Sequence, residues 1–216
     1  MFTGIIEELG TVSSIKKSSE TIVLTIAASA ILTDVKLGDS IAVNGVCLTV
    51  TSFAANQFTV DVMPETYMST TLKELNVRST VNLERAMAAG GRFGGHFVSG
   101  HVDGTGEIVY KRPEQNAIYY EIKMPQHLMM YFMMKGSVSI DGTSLTIFGV
   151  TEDTITVSLI PHTVAHTVLG AKGKGQHVNV ECDMLAKYVG RMMHGVPSET
   201  NRKKELTYEF FEQNGF

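Results

Sequence analysis

The chain repeats itself at a nearly constant offset, and this feature constrains its fold more than any other. Residues 40–50 (SIAVNGVCLTV) return as 137–147 (SVSIDGTSLTI), and Met63–Thr66 return as Ile160–Thr163, both shifted by 97 residues. Residues 81–84 return as 178–181 at the same offset, and residues 3–4 return as 99–100 at an offset of 96. Four ordered blocks at nearly one offset predict two copies of one structural unit, each of about 100 residues.

Each copy is typical of β structure. Asn44-Gly45 stands between the β-forming runs Ser40–Val43 and Leu48–Thr51, and Asp141-Gly142 occupies the matching place in the second copy. Such a dipeptide between two β-forming runs is the strongest short signal for a hairpin. We count about six short strands per copy, and a sheet of that size best hides its edges by closing into a barrel.

Composition narrows the classes of function. The 216 residues carry a formal net charge of −4, which argues against a nucleic-acid partner. The two cysteines, Cys47 and Cys182, show no metal-ligand spacing and do not require a disulfide. The first residues, MFTGIIEELG, do not resemble a signal peptide, and no window reaches the length of a membrane span. A cytoplasmic protein that neither binds nor crosses a membrane is therefore expected.

The pattern changes after the second repeat. Residues 184–193 place apolar side chains at 185, 188, 189 and 192, which is helical spacing. Pro197 would interrupt that helix, and a second one is predicted from about Ser198 to Gln213. The expected domains are a first barrel over 1–96, a second barrel over 97–187 and a helical tail over 188–216 that serves oligomerisation. A glycine-rich hinge at 88–95 separates the halves.

Several of these motifs together resemble the riboflavin synthase family. The opening Met1–Ile5, the Asn-Gly-x-Cys-Leu-Thr motif at 44–49, Gly-His-Val at 100–102 and Asp-Gly-x-Ser-Leu-Thr at 141–146 all match. Each motif alone is weak, but together they cover roughly residues 1 to 187. The resemblance implies an all-β chain of two tandem six-stranded antiparallel Greek-key β-barrels with a C-terminal helix.

The resemblance also implies an activity. Members of the family are transferases that act in riboflavin biosynthesis and form homotrimers. They convert two molecules of 6,7-dimethyl-8-ribityllumazine into riboflavin and a ribitylaminopyrimidinedione, with no cofactor and no metal. Each site is expected between the first barrel of one subunit and the second barrel of a neighbour. Association with a lumazine synthase shell is a further partnership that the sequence leaves open.

The candidate substrate-binding residues come in two matched sets, one from each repeat. A flat ring with a polyol tail requires a few polar groups from its binding site. Here they can come from the threonines beside the Asn-Gly and Asp-Gly hairpins and from the proline-stiffened turn that follows a strand in each repeat. Glycines at 4 and 100 would let the backbone approach that ring. The first set is Gly4, Ile5, Ile6, Cys47, Leu48, Thr49, Asp61, Val62, Met63, Pro64, Glu65 and Thr66. The second set is Gly100, His101, Val102, Lys135, Ser144, Leu145, Thr146, Ser158, Leu159, Ile160, Pro161, His162 and Thr163.

The donor and acceptor lumazines play different roles, so differences between the repeats indicate catalytic groups. His101 stands opposite Ile5, and a histidine side chain is suited to proton transfer near neutral pH. Cys47 stands opposite Ser144; the thiol is either a nucleophile or acid, or a small packed side chain. Ser144 would bind or activate water.

Two more differences stay open between function and structure. Asp183 stands opposite Ala86, and it either orients a catalytic group or caps the helix that follows. Lys135 stands opposite Gly38, and it either binds a substrate oxygen or is a solvated surface charge.

Three other functions compete with this interpretation. A non-catalytic lumazine-carrying protein would use the same barrels, but the combination of Cys47, His101 and Ser144 argues against it. A flavin-dependent reductase would need a nicotinamide domain, for which the chain has neither a G-x-G-x-x-G fingerprint nor room. A purely structural pair of barrels would leave the charged differences between the repeats unexplained.

Overall fold

The computed structural model of the protein describes residues 1–18 and 21–194. The first repeat forms one closed antiparallel barrel with the strand order β1-β2-β5-β4-β3-β6. Its strands are β1 (Glu8–Lys17), β2 (Ile22–Ala27), β3 (Ser40–Val43), β4 (Val46–Ala54), β5 (Gln57–Val62) and β6 (Thr80–Arg85). Because β2 pairs with β5 rather than β3, the chain crosses the barrel end between them, which is the Greek-key connection.

The second repeat forms a second closed barrel with the matching order. Its strands are β7 (Gly104–Glu114), β8 (Ala117–Lys123), β9 (Ser137–Ile140), β10 (Thr143–Val150), β11 (Thr154–Leu159) and β12 (His177–Cys182). A short helix follows the fifth strand of each barrel: α1 (Pro64–Ser69) in the first and α2 (Pro161–His166) in the second. The prediction of two six-stranded antiparallel barrels is confirmed.

Alternation of apolar and polar residues explains why these segments form barrels. Along β2, the side chains of Ile22, Leu24 and Ile26 are buried, while the residues between them are half-buried. Each barrel encloses its own apolar cluster, so each repeat has a complete core. Burying one such Ile or Leu side chain contributes roughly 1.5–3 kcal/mol.

The predicted hairpin turns are present, and they also join the two barrels. Asn44 and Gly45 both have positive φ (45° and 79°), as do Asp141 and Gly142 (47° and 82°). This is the backbone that a two-residue hairpin of the I′ type requires. The two turns meet, and a Cβ added to Gly45 would lie 2.6 Å from the Gly142 nitrogen. Only glycine fits at this contact between the barrels.

Two buried asparagines complete the contact between the barrels. Asn82 Nδ2 donates to the Asp141 carbonyl at 2.8 Å, and Asn179 Nδ2 donates to the Asn44 carbonyl at 2.8 Å. The contacts are reciprocal, since residues 82 and 179, and residues 44 and 141, are equivalent in the two repeats. Reciprocal contacts are the pattern of a twofold relationship, here between two halves of one chain.

One helix follows the second barrel. It is α3 (Met184–His194), as the apolar spacing predicted, and it starts directly after β12. The proposed tail boundary at residue 188 falls inside this helix, and the second helix predicted over 198–213 lies outside the described residues. Within residues 1–18 and 21–194, no helix combines the length and apolar character needed to cross a membrane.

Candidate functional site

The segment that precedes each barrel crosses over to the other barrel. The Ser144 N–H in the second barrel donates to the Gly4 carbonyl at 2.8 Å, and the Cys47 N–H in the first barrel donates to the Gly100 carbonyl at 2.9 Å. Phe2 and Val98 pair as a β-bridge where the two segments pass each other. Each candidate site therefore combines a strand of one repeat with a loop of the other.

Two buried carboxylates hold these crossing loops. Glu84 Oε1 accepts hydrogen bonds from the Thr3 N–H at 2.6 Å and the Thr3 hydroxyl at 2.7 Å. Glu181 makes the equivalent bonds to the Ser99 N–H at 2.6 Å and the Ser99 hydroxyl at 2.8 Å. Burial raises the pKa of Glu84, although the hydrogen bonds from its loop oppose that rise. The loops are fixed by the barrel from which they come.

Gly4 and Gly100 lie where the crossing loops meet the facing strands. A Cβ on Gly4 would lie 2.6 Å from the Ser144 Cβ, and a Cβ on Gly100 would lie 2.5 Å from the Cys47 Cβ. Both glycines also have positive φ, 79° and 82°. The space above each glycine is thus occupied by the facing strand, and the glycines are required because the crossing loop approaches that strand closely.

We call the outer surface of β10 and β11, with the turn into α2, the second-barrel face. Ser144 is half-buried and Thr146 is exposed, whereas Leu145 between them points into the barrel core. At the turn, the Leu159 side chain is also in the core, while Ile160 is 58% exposed. The remaining candidates here are half-buried or exposed: Ser158, Pro161, His162 and Thr163.

The equivalent outer surface of β4 and β5, with the turn into α1, is the first-barrel face. Cys47 is half-buried and Thr49 is exposed, whereas the side chains of Leu48 and Val62 lie in the core. Met63 is 68% exposed, which is similar to its counterpart Ile160. The other candidates here are exposed or half-buried: Asp61, Pro64, Glu65 and Thr66. Core-facing leucines and valines can offer only their backbone groups to a ligand.

The loop residues complete these two faces. Ile5 is exposed and Ile6 is half-buried, and a Cβ on Gly142 would contact the Ile6 side chain at 3.6 Å. Val102, the counterpart of Ile6, packs against the core of the first barrel. The His101 side chain is exposed, and its backbone N–H donates to the Ser99 hydroxyl at 3.1 Å.

His96 lies at the second-barrel face and was not among the candidates from sequence. Its ring Nδ1 is 2.6 Å from Ser144 Oγ, and its Nε2 is buried without a hydrogen-bond partner among the described residues. Burial lowers the pKa of His96, while the charge of Asp183 acts in the opposite direction. A neutral imidazole bonded to a hydroxyl is an arrangement that can accept a proton.

Comparison of the two repeats could not identify His96, although its position after the glycine-rich linker was visible in the sequence. An offset of 96 places no residue of the first repeat opposite this histidine, so it does not appear as a difference between repeats. It does follow the glycine-rich linker directly. A Cβ on Gly95 would lie 2.0 Å from the Thr3 carbonyl oxygen and 2.9 Å from the Ser144 Cβ. This close approach places His96 beside Ser144.

Asp183 serves the helix that follows it. Its Oδ1 accepts a hydrogen bond from the Leu185 N–H at 2.9 Å, which caps the first turn of α3. The capping alternative is therefore observed. Its charge also acts on His96, so the two explanations offered for this residue are compatible.

Lys135 is one end of a row on the outer surface of the second barrel in which two aromatic rings lie between two cations. Its Nζ lies 4.3 Å from the Phe148 ring centre, Phe148 and Tyr119 meet edge to face at 6.2 Å, and Arg112 lies 5.6 Å from Tyr119. Phe148 follows Thr146 on the same side of β10. Lys135 has a φ of +66°, where the first repeat has Gly38 at +87°. A lysine in this conformation is strained, whereas a glycine is not.

The described part of the chain does not contain a cluster of side chains of the size that usually binds a metal ion. No group of three or more histidine, cysteine, aspartate or glutamate side chains is placed to hold an ion there. Both cysteines are free thiols, and Cys182 is buried at the end of β12, where burial raises its pKa to about 12.

Comparison with known proteins agrees with the duplicated architecture. The lumazine binding domain family matches residues 3–86 and again residues 99–183. Riboflavin synthase from Bacillus subtilis (strain 168) is 58% identical over 216 residues, and riboflavin synthase from Actinobacillus pleuropneumoniae is 53% identical over the same length. Both alignments cover the whole of each chain.

Solved structures of LumP are also similar to this chain. The complex with riboflavin superimposes with a TM-score of 0.79 at 29% identity, and the complex with 6,7-dimethyl-8-(1'-D-ribityl) lumazine with a TM-score of 0.76 at 28% identity. Each covers 84% of this chain and 99% of the LumP chain.

Proposed function

The chain belongs to the riboflavin synthase family, and on that premise we propose that it converts two molecules of 6,7-dimethyl-8-ribityllumazine into riboflavin and 5-amino-6-ribitylaminouracil. The observation that carries this proposal is the crossed arrangement of the repeats. Each outer face is built from the same three parts: a strand, the turn that follows the next strand, and a loop from the other repeat. The reactive side chains on the two faces differ. Two alike but unequal faces suit a reaction in which two copies of one molecule play unequal parts.

The frame of each face provides binding. Exposed Thr49 and Thr146 offer hydroxyls, and the exposed apolar side chains of Met63 and Ile160 offer surface on which a flat ring can lie. The turns at 61–66 and 158–163 hold the ribityl chain of each lumazine. Holding both molecules in one orientation removes much of the entropy barrier of a bimolecular step, a contribution that can reach roughly 7–11 kcal/mol.

The differing side chains provide the chemistry. At the second-barrel face, neutral His96 accepts a proton through or beside the Ser144 hydroxyl. At the first-barrel face, Cys47 and His101 are the groups available to a bound lumazine. The C7 methyl of the substrate is acidic because the resulting carbanion is delocalised over the heterocycle. Lys135, held over Phe148, offers a cation to a substrate oxygen.

The two faces of one chain belong to different complete sites, which a homotrimer provides. Helix α3 supports this assembly, because Leu185, Tyr188, Val189 and Met192 are each more than half exposed and lie on one apolar side. Packing of this side against other subunits would bring a first-barrel face opposite a second-barrel face. Association with a lumazine synthase shell stays a prediction. The free thiols suit the reducing cytoplasm, where we place the enzyme.

The alternative function is a non-catalytic protein that binds lumazine or flavin. The similarity to LumP, solved with a lumazine and with riboflavin, favours it. The full-length identity of 58% to a riboflavin synthase and the His96–Ser144 pair favour catalysis.

One experiment separates the two functions. Purified full-length protein is incubated with the lumazine, without added metal or nicotinamide, while lumazine and riboflavin absorbance are followed together. Catalysis predicts riboflavin formation at half the rate of lumazine consumption. Stoichiometric binding with no conversion over many hours would leave the non-catalytic function as the correct one.

A further inference from the structure

Helix α2 carries two histidines one turn apart, at the edge of the second-barrel face. The rings of His162 and His166 are stacked, with centroids 4.2 Å apart and planes 19° from parallel. Both residues are exposed. Side chains at positions i and i+4 of a helix lie one above the other, which explains the contact.

A backbone hydrogen bond fixes which nitrogen of His166 is free. Its Nδ1 lies 2.8 Å from the His162 carbonyl oxygen. A carbonyl oxygen only accepts, so Nδ1 carries the proton and Nε2 carries the lone pair. A histidine that binds a metal almost always donates its other ring N–H in this way, to a carboxylate, a carbonyl or water. His166 therefore has the tautomer of a metal ligand.

The spacing of the rings suits one shared ion. Nitrogen ligands lie about 2.0–2.1 Å from a zinc ion, so two of them on one ion are at most about 4 Å apart. The rings of His162 and His166 are stacked nearly parallel, so the exposed side chains must turn before both Nε2 lone pairs point to one ion. Two histidines at positions i and i+4 on one face of a helix can bind a single zinc ion in this way.

The fold itself does not require these histidines. Helix α1 is the equivalent helix of the first repeat, and it also begins with proline after an exposed apolar residue. An offset of 97 places Glu65 opposite His162 and Ser69 opposite His166. The same helix thus forms with and without the histidine pair, so packing of the barrel does not explain it.

We propose that His162 and His166 together bind an exchangeable divalent transition-metal ion of the kind that prefers imidazole, such as Zn²⁺, Ni²⁺ or Cu²⁺. Water completes the coordination, since the side chains are exposed and the described residues bring no third ligand of the usual kind to them. The ion would sit beside Pro161–Thr163, the turn at the edge of the second-barrel face. Such an open site binds an ion reversibly rather than as a structural part of the fold.

Ni²⁺ is the most direct probe, because it does not change oxidation state and does not favour thiolates as Cu⁺ does. Ni²⁺ is titrated into the full-length protein at about pH 8, where an ordinary imidazole is neutral and able to bind metal. Calorimetry gives the affinity, and paramagnetic broadening of the imidazole proton resonances identifies the ligands. We expect the resonances of His162 and His166 to broaden first and together.

The first repeat supplies matched variants. His166→Ser and His162→Glu install the residues that helix α1 already tolerates. His166→Ser removes one of the two ligands and should weaken Ni²⁺ binding by more than about 10-fold, because loss of even a ligand's supporting partner costs about 10–100-fold. His162→Glu should also weaken binding, because Ni²⁺ prefers imidazole to carboxylate. The double variant Glu65→His/Ser69→His should create a second site and raise the stoichiometry by one. Thermal unfolding of each variant checks that the fold is kept. Unchanged Ni²⁺ affinity in a folded His166→Ser protein, or no Ni²⁺ binding by the unaltered chain, would overturn the proposal.

Discussion

The Nδ1 atom of His96 lies 2.6 Å from the Oγ atom of Ser144, in a contact that the first repeat does not have. His96 comes from the linker and Ser144 from β10, so the two meet only because the linker returns across the second barrel. The first repeat has Cys47 at the position of Ser144. This relationship makes the two outer faces chemically unequal, and it underlies the first three predictions.

His96→Asn should reduce turnover while leaving lumazine binding nearly unchanged. The amide can still reach Ser144, but it cannot accept a proton, and loss of a general base typically lowers the rate roughly 10²–10⁴-fold. Steady-state rates and a fluorescence titration with lumazine measure the two effects. His177→Asn is the control, because that exposed histidine pairs with Glu74 away from either face. A His96→Asn enzyme with wild-type turnover would contradict the proposed role.

The pH dependence of turnover should reflect the burial of His96. Burial lowers its pKa from the ordinary value of about 6.5, so the neutral, active ring persists below that pH. The acidic limb of kcat against pH should therefore lie below 6.5.

Stability should respond to the same shift. The unfolded chain binds this proton first on acidification, so the folded state loses stability as pH falls below about 6.5. Thermal unfolding of the parent and of His96→Asn between pH 8 and pH 5 tests this, and the variant should be less sensitive to acid. Identical pH profiles of Tm would contradict it.

Asn82→Ala and Asn179→Ala should destabilise the protein by similar amounts. Besides its bond to the opposite barrel, each amide accepts from a backbone N–H at 2.8 Å, that of Val168 for Asn82 and that of Thr71 for Asn179. Each buried backbone group left without a partner costs about 1–3 kcal/mol. Denaturant unfolding measures the loss. Gln57→Ala, on the exposed side of β5, should stay within about 0.5 kcal/mol of the parent. A large effect at only one asparagine would contradict the twofold relationship.

Lys135→Gly should lower kcat/KM without lowering stability. A non-glycine residue with positive φ is strained by roughly 1–2 kcal/mol, and glycine relieves that strain. Arg78→Gly, at another positive φ of 76°, is the matched control and should keep full activity.

Phe148→Thr, which installs the Thr51 of the first repeat, should remove about 0.5–1 kcal/mol of cation–π interaction and lower kcat/KM about two- to fivefold. Full activity of Lys135→Gly would show that this lysine is a solvated surface charge with no role in catalysis.

Tyr188→Glu should weaken trimer formation and activity together. This side chain is 62% exposed on the apolar side of α3, so a charge there has little effect on a single chain but opposes burial between subunits. Light scattering gives the mass in solution, and the same samples are assayed for riboflavin formation. Arg191→Glu is the control, because Arg191 is exposed on the same helix. Lys187→Glu is less suitable, because the Lys187 side chain donates to Asp103 at 2.9 Å. A fully active Tyr188→Glu monomer would exclude a site shared between subunits.

Much of the fold was determined by local patterns in the sequence. The repeated blocks, the alternation of apolar residues and the two hairpin dipeptides act over a few residues each, so they predict the strands, the turns and the division into two barrels. The spacing of apolar residues after Glu181 likewise predicted α3. The candidate site residues were chosen as matched sets because both repeats keep the motifs that contain them.

The tertiary structure alone decided which of those residues meet. No local pattern shows that Gly4 contacts Ser144 rather than Cys47, because that choice depends on the two barrels packing about a twofold axis with their leading segments crossed. Repeat comparison also passed over His96, which has no counterpart, and gave no role to Glu84 and its equivalent. Contacts between residues 48 to 81 positions apart arise from packing of whole barrels, and sequence patterns that extend over one strand or one turn carry no information about them.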